Sequence, residues 1–448
     1  MLRKFLVAGF ALVLGTVLAA LWWRIDGDRM PEFDYPESRQ VPEPNAFDFL
    51  VEAAEAIPDH GKSIADAVSG TRDPETGEWR DPTLDQVRSA VEENRQALAL
   101  IREGLQHPFH YPQLHRVLLG EGDYHFGAFR MAARLLTLEA RLHAADERFD
   151  RAMESVLDCL ELGRKIGTRS PFSGALTGIA NHGIGAHDAP AIVPNLRQTE
   201  LLDAIERLES LGEVPLEMAG IFASERVHGL KYLESIFSKS DWRLRLAESE
   251  QMYLDDSWYG RAEFTLWQRL QMRLRAWKYH QGKIVRTVDE MTSAVGEILE
   301  EPFSDREGRF PTPGRPLPPS LGENFIEAVP KVWFSVLVAQ TTHEGLLATL
   351  ALEAWRKKHG EYPERLEDLE PNLLSSVPRD PFALDQALRY RREDDTYLLY
   401  SIGPNGQDNG GEAMERPDEE DPIRRKVPRT DLPGDLVVGI NLLRPPDE

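Results

Sequence analysis

The chain has 448 residues, and its 75 acidic and 52 basic side chains give a formal net charge of −23. This acidic balance argues against nucleic-acid binding, which needs a cationic surface. The single cysteine, Cys159, excludes an intramolecular disulfide. It stands at helical spacing from Val156 and Leu160, so a buried thiol is expected.

An apolar run without charge extends from Phe5 to Trp23, and Arg3 and Lys4 precede it. A run of this length is long enough to cross a bilayer as a helix. Residues 1–24 are therefore predicted to form a transmembrane signal anchor, with a cleaved signal peptide as the alternative. The basic residues before the run place the remaining chain outside the cytoplasm. In a bacterial cell we expect a single-pass inner-membrane protein with most of its chain in the periplasm.

Residues 25–44 are rich in Pro, Asp and Glu and are predicted to form an extended tether. From residue 45 to residue 300, apolar side chains recur at helical spacing, which predicts an α-helical domain. The first helix is expected over Ala46–Ile57 with Asn45 as its N-cap. A second, long helix is expected over Thr83–Leu105.

Residues 124–166 are predicted to form a helical hairpin. Small and aromatic side chains stand there at the spacings of one tetratricopeptide repeat, which the stretch resembles: Phe129, Ala133, Ala145, Phe149 and Ala152. No second copy follows at the expected step of about 34 residues. Packing of a single hairpin is therefore favoured, and a peptide-binding repeat groove is the alternative.

The stretch from Pro171 to Pro194 is rich in Gly and Ala, which favours close helix packing. It also contains His182, His187 and Asp188, which are metal-ligand types. Two histidines five residues apart do not share a helix face, so packing is the favoured interpretation.

Residues 240–281 are dense in Trp, Tyr and Arg. Trp267, Leu270, Leu274 and Trp277 stand on one helix face, which predicts a face packed in the core. Aromatic and basic residues together are also typical of a binding surface, and this is the alternative.

Residues 301–320 contain six prolines and are predicted to form a linker, because no regular helix tolerates that density. Residues 321–448 are expected to form a long helix followed by a small α+β module. The apolar run Val332–Val338 is too short to cross a bilayer. It is predicted to dock the module onto the helical domain.

Within the module, Gly360 is expected to end the long helix. Alternating side chains predict a strand around Leu388–Arg391 and another around Tyr397–Ile402, with the polar residues 393–396 as the hairpin turn. A third strand is predicted over Leu436–Ile440.

The order of these elements resembles the C-terminal part of the type II secretion major pseudopilin. The matching positions are Gly360, Tyr362-Pro363, Asp380-Pro381, Tyr390-Arg391, Tyr400-Ser401, Gly403, Gly406 and Gly410-Gly411. The resemblance implies a helix-backed antiparallel sheet. The chain departs from the family at Leu14, where pseudopilins have Glu, and in the roughly 300 residues that precede the module. Processing by a prepilin peptidase and assembly into a fibre are therefore not expected.

In that family, the loop after the second strand binds calcium through oxygen ligands. The resemblance implies a calcium site here, which would use five residues: Ser401, Asn405, Asp408, Asn409 and Asp435. A plain Gly/Asn turn with solvated acids is the alternative interpretation.

The fold class expected from these patterns is mainly α, with an N-terminal transmembrane helix, a helical hairpin domain and a C-terminal module that carries an antiparallel sheet. His343-Glu344 begins like a zincin motif, but Leu347 stands where the second His is required. No catalytic residue and no cofactor apart from calcium is predicted. We expect a non-catalytic binding or scaffolding protein with a protein or peptide partner. The alternatives are a component associated with a type II secretion or pilus-like system and an envelope hydrolase that uses a carboxylate pair.

Overall fold

The computed structural model describes the greater part of the chain. The described residues are 41–72, 79–112, 125–168, 170, 172–212, 218–254, 266–276, 279–299, 303, 319–384, 386–415, 428–430 and 432–443. The predicted anchor, most of the tether and nearly all of the proline-rich linker lie outside them. No helix within these ranges has the length and apolar character needed to cross a bilayer.

The described part of the chain is mainly helical. The helices are α1 (Ala46–Glu55), α2 (Lys62–Ser69), α3 (Leu84–Glu93), α4 (Arg95–Leu105), α5 (Phe126–Ala145), α6 (Phe149–Gly167), α7 (Phe172–Ala186), α8 (Ala189–Ile192), α9 (Gln198–Ser210), α10 (Met218–Phe237), α11 (Trp242–Leu254), α12 (Leu266–Ala276), α13 (Gln281–Leu299) and α14 (Pro319–His359). The strands are β1 (Thr71–Arg72), β2 (Trp79–Arg80), β3 (Arg379–Asp380), β4 (Gln386–Ala387), β5 (Arg389–Glu393), β6 (Thr396–Ser401) and β7 (Leu436–Val437).

The described residues fall into two compact units. The larger unit contains those up to residue 225, Phe303 and those from residue 332 onwards. The smaller unit contains residues 226–299 and 319–331, apart from the gaps given above. The larger unit therefore joins the N-terminal helices to the C-terminal module.

Helix α1 begins where the sequence predicts it. The Asn45 side chain accepts a hydrogen bond from the backbone N–H of Phe47, as an N-cap does. The same buried side chain exchanges hydrogen bonds of 2.9 Å with the backbone N–H and carbonyl of His110. Asn45 thus caps α1 and ties it to the segment that follows α4.

The prediction of one continuous helix over Thr83–Leu105 is wrong, because the helix is interrupted at Asn94. This residue adopts φ −107° and ψ 20°, and its side-chain amide donates to the carbonyl of Ala90 at 2.7 Å. Val91 before the break and Leu98 after it are both buried. The helical spacing of apolar residues continues across the break, so it did not predict the interruption.

Helices α5 and α6 form the predicted hairpin, and α7 packs closely on α6. Gly178 on α7 faces Gly163 and Gly167 on α6 so closely that a β-carbon at position 178 would lie 2.5 Å from the carbonyl oxygen of Gly163. The small residues therefore allow backbone contact, as predicted from composition. Cys159 is fully buried in the same layer, which confirms the expected buried thiol.

The C-terminal module contains the predicted hairpin. Strand β5 pairs antiparallel with β6, from Arg389 opposite Tyr400 to Glu393 opposite Thr396. Strand β7 pairs with the other edge of β6 over two residues. The predicted third strand is shorter than expected, because the backbone turns at Gly439, whose N–H donates to the carbonyl of Leu442 at 2.7 Å.

One apolar core joins the module to the helical hairpin. Helix α14 lies at its centre and ends at Gly360, which has φ +83° and donates its N–H to the carbonyl of Arg356. Buried members of this core come from α6, α9, α14 and the C-terminal module, among them Val156, Leu160, Ile205, Leu350, Leu388 and Leu399. The α14 members of this core lie between Leu346 and Ala354, so this part of the helix packs the module against the hairpin. None of the residues of Val332–Val338, the run predicted to dock the module, belongs to this core.

The smaller unit has its own core, built from Leu230, Leu233, Trp242, Leu246, Met272, Tyr279, Ile284 and Val285. The prediction that α12 has a core face is wrong for Trp267, Leu270 and Leu274, because all three are exposed. Trp277, the fourth predicted member of that face, lies outside the described residues. Met272 and Ala276 are buried instead. Helical spacing identified an apolar stripe correctly but did not determine which face of the helix the rest of the unit covers.

Candidate functional site

The larger unit contains a cavity of about 560 Å³ that is open to solvent. Helices α4, α6 and α9 supply most of its walls. Six carboxylates and two arginines line it, together with buried apolar side chains at its floor: Arg102, Leu105, Gln106, Asp150, Met153, Glu154, Leu157, Asp158, Glu161, Leu196, Glu200, Asp203, Ala204 and Arg207. We call this cavity the acidic groove.

The acids of one wall follow from the helical spacing of α6. Asp150, Glu154, Asp158 and Glu161 are separated by four, four and three residues, so they share one face of the helix. Met153 and Leu157, on the neighbouring face, are buried. Helix α6 therefore places its apolar face in the core and a line of carboxylates along the groove.

Asp158 links two arginines from different helices. Its Oδ2 lies 2.8 Å from Nε of Arg102 on α4, and its Oδ1 lies 2.6 Å from Nη2 of Arg207 on α9. Arg207 also contacts Glu161 at 3.2 Å. These charge-assisted hydrogen bonds hold α4, α6 and α9 in register around the groove.

Arg102 extends the network to Glu139 on α5. The guanidinium donates two hydrogen bonds to this carboxylate, which also accepts from the hydroxyl of Ser155 at 2.7 Å. Burial alone would raise the pKa of Glu139, but the hydrogen bonds and charge of Arg102 outweigh it and lower that pKa. Glu139 is therefore an ionised structural partner of Arg102.

The rim of the groove has a different character from its floor. Asp150 and Asp203 are exposed, and neither takes part in an ion pair within the described ranges. Glu154 pairs with Arg151 at exposed positions, where such a pair contributes little. The half-buried Glu200 pairs with the exposed Arg197. The lining carboxylates outnumber the lining arginines by six to two, but Arg151, Arg197 and Lys165 pair with three of them. Asp150 and Asp203 therefore supply the negative charge with which the rim attracts cations.

The predicted calcium residues lie in and beside the loop that follows β6. Asp408 accepts hydrogen bonds from the hydroxyl of Tyr400 at 3.0 Å and from the N–H of Gly410 at 2.9 Å. Its second oxygen lies 3.3 Å from Nε of Arg389. The N–H of Gly410, with smaller contributions from the other two, lowers the pKa of Asp408.

Three of the remaining predicted ligands contact one another. The side-chain amide of Asn405 donates to Oδ1 of Asn409 at 3.0 Å. The buried Asp435 accepts from the N–H of Asn409 at 3.1 Å and from that of Gly411 at 2.7 Å. Burial raises the pKa of Asp435. Asp435 thus holds the loop closed from the strand side.

Ser401 faces a different partner. Its hydroxyl donates to Asp380 at 2.7 Å, and Asp380 also accepts from the N–H groups of Ile402 and Phe382. The loop therefore brings Asn405, Asp408, Asn409 and Asp435 together, while Ser401 takes part in a neighbouring network.

The oxygens of this loop are directed at N–H and O–H donors, which does not match the cage of oxygens that calcium requires. No cluster of three or more His, Cys, Asp or Glu suited to a metal occurs among the described residues. The calcium site remains a prediction.

His182 and His343, which were assessed as parts of different motifs in the sequence, lie next to each other in the larger unit. The rings of His182 on α7 and His343 on α14 lie 5.9 Å apart, and both are buried. Neither ring nitrogen of His182 has a hydrogen-bond partner within the described structure. Burial lowers the pKa of His182 to about 3 and that of His343 to about 4, so both are neutral near pH 7. His187 instead contacts Asp188, which is also paired with Arg141.

Sequence reasoning missed the acidic groove. The four acids of α6 carried a detectable signal, because their spacing puts them on one helix face. Their arginine partners gave none, since Arg102 and Asp158 are 56 positions apart and Arg207 and Asp158 are 49 apart.

Comparisons with known proteins yield no relative: no protein-family model matches this chain, and no curated protein and no solved structure does.

Proposed function

We propose that this protein is a membrane-anchored periplasmic binding or scaffolding protein without catalytic activity, whose acidic groove binds a basic segment of a protein or peptide partner. The placement rests on the apolar run Phe5–Trp23 and the basic residues before it. The binding role rests on the groove. Its single most informative feature is the pair of exposed rim carboxylates, Asp150 and Asp203, above a floor whose charges are already paired.

The floor of the groove supports a fixed recognition surface. Asp158 bridges Arg102 and Arg207, so the three helices around the groove are held in place before any ligand arrives. A pre-formed site loses little conformational entropy on binding. The excess negative charge then favours a ligand with several Lys or Arg side chains and speeds its association.

The same ion pairs argue against an envelope hydrolase. A general acid in glycoside hydrolysis needs a carboxyl group whose pKa is raised, so that it holds a proton near neutral pH. The carboxylate of Asp158 is bonded to two guanidinium groups, and Arg102 lowers the pKa of Glu139. Both buried carboxylates accept hydrogen bonds that join the helices, and the lowered pKa of Glu139 is the opposite of what a general acid needs.

Titration of the full chain in nanodiscs with a fluorescent Lys-rich peptide tests the binding role. The double variant Asp150→Lys/Asp203→Lys is expected to weaken binding about tenfold or more, because it reverses both rim charges. The control is Glu367→Lys/Asp395→Lys, which makes the same change in total charge at exposed positions of the C-terminal module. It should bind like the unaltered chain.

Equal loss of binding in both double variants would show that only the overall charge matters and would contradict a role for the groove. Binding by the unaltered chain should also weaken as salt is added, because exposed charges are screened. A Glu-rich peptide of the same length should not bind.

A second candidate is association with a type II secretion or pilus-like system. It is favoured by the C-terminal module, in which a helix-backed hairpin and a glycine loop follow the order that the pseudopilin resemblance implies. Co-purification with pseudopilins from solubilised membranes would support it. Their reproducible absence from the purified material would remove this candidate.

A further inference from the structure

Helix α12 of the smaller unit exposes an apolar face to solvent. Trp267, Leu270 and Leu274 are 66%, 49% and 68% exposed. Their spacing of three and four residues puts them on one side of the helix. Contiguous exposed apolar side chains of this size are typical of an interaction surface.

The opposite side of α12 is the one that packs on its own unit. Met272 and Ala276 are buried, and Met272 belongs to the core that contains Trp242 and Ile284. One face of the helix therefore packs on the smaller unit, and the other face is exposed and can contact a partner or a membrane.

The charge around α12 differs from that of the whole chain. Residues 264–288 contain six basic side chains and no acidic one, although the chain carries a net charge of −23. Within the helix, Arg269 and Arg273 are exposed. The stretch of sequence that carries this exposed apolar face is therefore basic within an acidic chain, a composition typical of a helix that lies on an anionic lipid surface.

We propose that α12 is a membrane-surface helix, which inserts Trp267, Leu270 and Leu274 into the interfacial layer of an anionic bilayer while its arginines meet the lipid phosphates. Trp is the aromatic residue that favours this layer, because its ring is apolar and its N–H remains hydrogen-bonded. The arginines suit phosphate because their guanidinium groups donate several hydrogen bonds. This surface is separate from the acidic groove, and the inference holds whether or not the groove binds a peptide.

The occupant is a bilayer because the face combines bulky apolar groups with cations. The acidic groove of a second copy offers carboxylates to the arginines, but its floor side chains, such as Met153, Leu157 and Leu196, are buried and leave little apolar surface for Trp267. Lipid supplies both an apolar layer and negative charge.

The test places an environment-sensitive fluorophore on Leu270→Cys in the full chain, reconstituted in nanodiscs of mixed phosphatidylglycerol and phosphatidylcholine. Cys159 is fully buried and its thiol pKa is raised by burial, so the new cysteine is the one labelled near neutral pH. The matched control is Leu84→Cys, another exposed leucine, in the larger unit. The fluorescence of a label at position 270 reports insertion of α12 itself, because it does not depend on whether another segment anchors the chain.

The label at position 270 should shift to shorter wavelength and be quenched by lipids that carry a shallow spin label. Both effects should decrease in pure phosphatidylcholine and be lost in the triple variant Leu270→Cys/Trp267→Ser/Leu274→Ser, whose new changes lie at exposed positions. The label at position 84 should show neither effect. An unshifted, unquenched label at position 270 would overturn the proposal. So would a shift that appears without lipid and grows with protein concentration, because it would identify a second copy as the occupant.

Discussion

Oδ2 of Asp158 and Nε of Arg102 lie 2.8 Å apart, although 56 positions separate the two residues in the chain. Asp158 is the central member of the ion-pair network, since Arg207 occupies its other oxygen. Removal of this shared carboxylate would therefore break one ion pair of each arginine at the same time.

We expect Asp158→Asn to lower the free energy of unfolding by about 2 kcal/mol, because it removes the carboxylate that two half-buried guanidinium groups share. Arg102 keeps its pair with Glu139, and Arg207 keeps its pair with Glu161. The partial exposure of both arginines keeps the loss below that of a fully buried pair. Urea unfolding measures it. Glu92→Gln breaks the exposed pair with Arg95 and should cost under about 0.5 kcal/mol. Equal losses in the two variants would contradict a structural role for the network.

Gly178→Ala should destabilise the contact between α6 and α7. The added β-carbon would lie 2.5 Å from the backbone oxygen of Gly163, and backbone cannot move aside as a flexible side chain can. We expect a loss of about 2–3 kcal/mol. Gly183→Ala, on the same helix but with no atom within 4 Å, should instead stabilise the protein by up to about 1 kcal/mol. Thermal unfolding of the two variants should therefore shift in opposite directions.

The buried pair His182 and His343 should make the protein sensitive to acid. In the folded chain both pKa values lie below the ordinary 6.5, at about 3 and about 4. As the pH falls below 6.5 the unfolded chain takes up protons that the folded chain does not, so stability decreases until the folded pKa values are reached. From pH 6.5 to about pH 5, each histidine should account for a loss of about 2 kcal/mol.

The measurement is urea unfolding as a function of pH for His182→Gln. This variant should lose part of the pH dependence, whereas His60→Asn, at an exposed position, should retain all of it. An unchanged slope in His182→Gln would show that His182 is solvated or paired in solution.

The two interpretations of the loop after β6 predict different responses to calcium. A calcium site would raise the Tm on calcium addition. A loop closed by its own hydrogen bonds would not change the Tm. The hydrogen bonds that Asp435 and Asp408 accept from backbone N–H groups favour this outcome. We therefore expect no change in Tm, and heat release on calorimetric titration with calcium would contradict this.

Asp435→Ala addresses the same loop without metal. It removes the acceptor of the N–H groups of Asn409 and Gly411 from a buried position, so we expect a loss of about 2 kcal/mol in urea unfolding. Asp395→Ala, in the exposed turn between β5 and β6, is the control and should be nearly neutral.

Local signals in the sequence predicted the local structure well. Asn45 caps α1, residues 393–396 form the hairpin turn, and Cys159 is buried, each as expected. At Asn94 a single residue ends the helix, and the apolar periodicity on both sides of it did not predict this break.

Long-range relationships could not be predicted in this way. The acidic groove needs three helices and arginines from two of them, so no single window of sequence contains it. The exposed face of α12 shows a related limit: periodicity found Trp267, Leu270 and Leu274 on one side, but their exposure depends on the contacts of Met272 and Ala276 on the other.

The core shared by α6, α14 and the C-terminal sheet can form only after the C-terminal part of the chain has been synthesised. Leu160 packs in the same cluster as Leu350 and Leu399, which are made much later. When only the first half of the chain has been synthesised, α6 has left the ribosome before Leu350 and Leu399 exist. Contacts between residues this distant in sequence also form slowly. Until the closing segment is synthesised, the side of α6 that carries Leu160 therefore lacks the side chains that cover it in the folded chain.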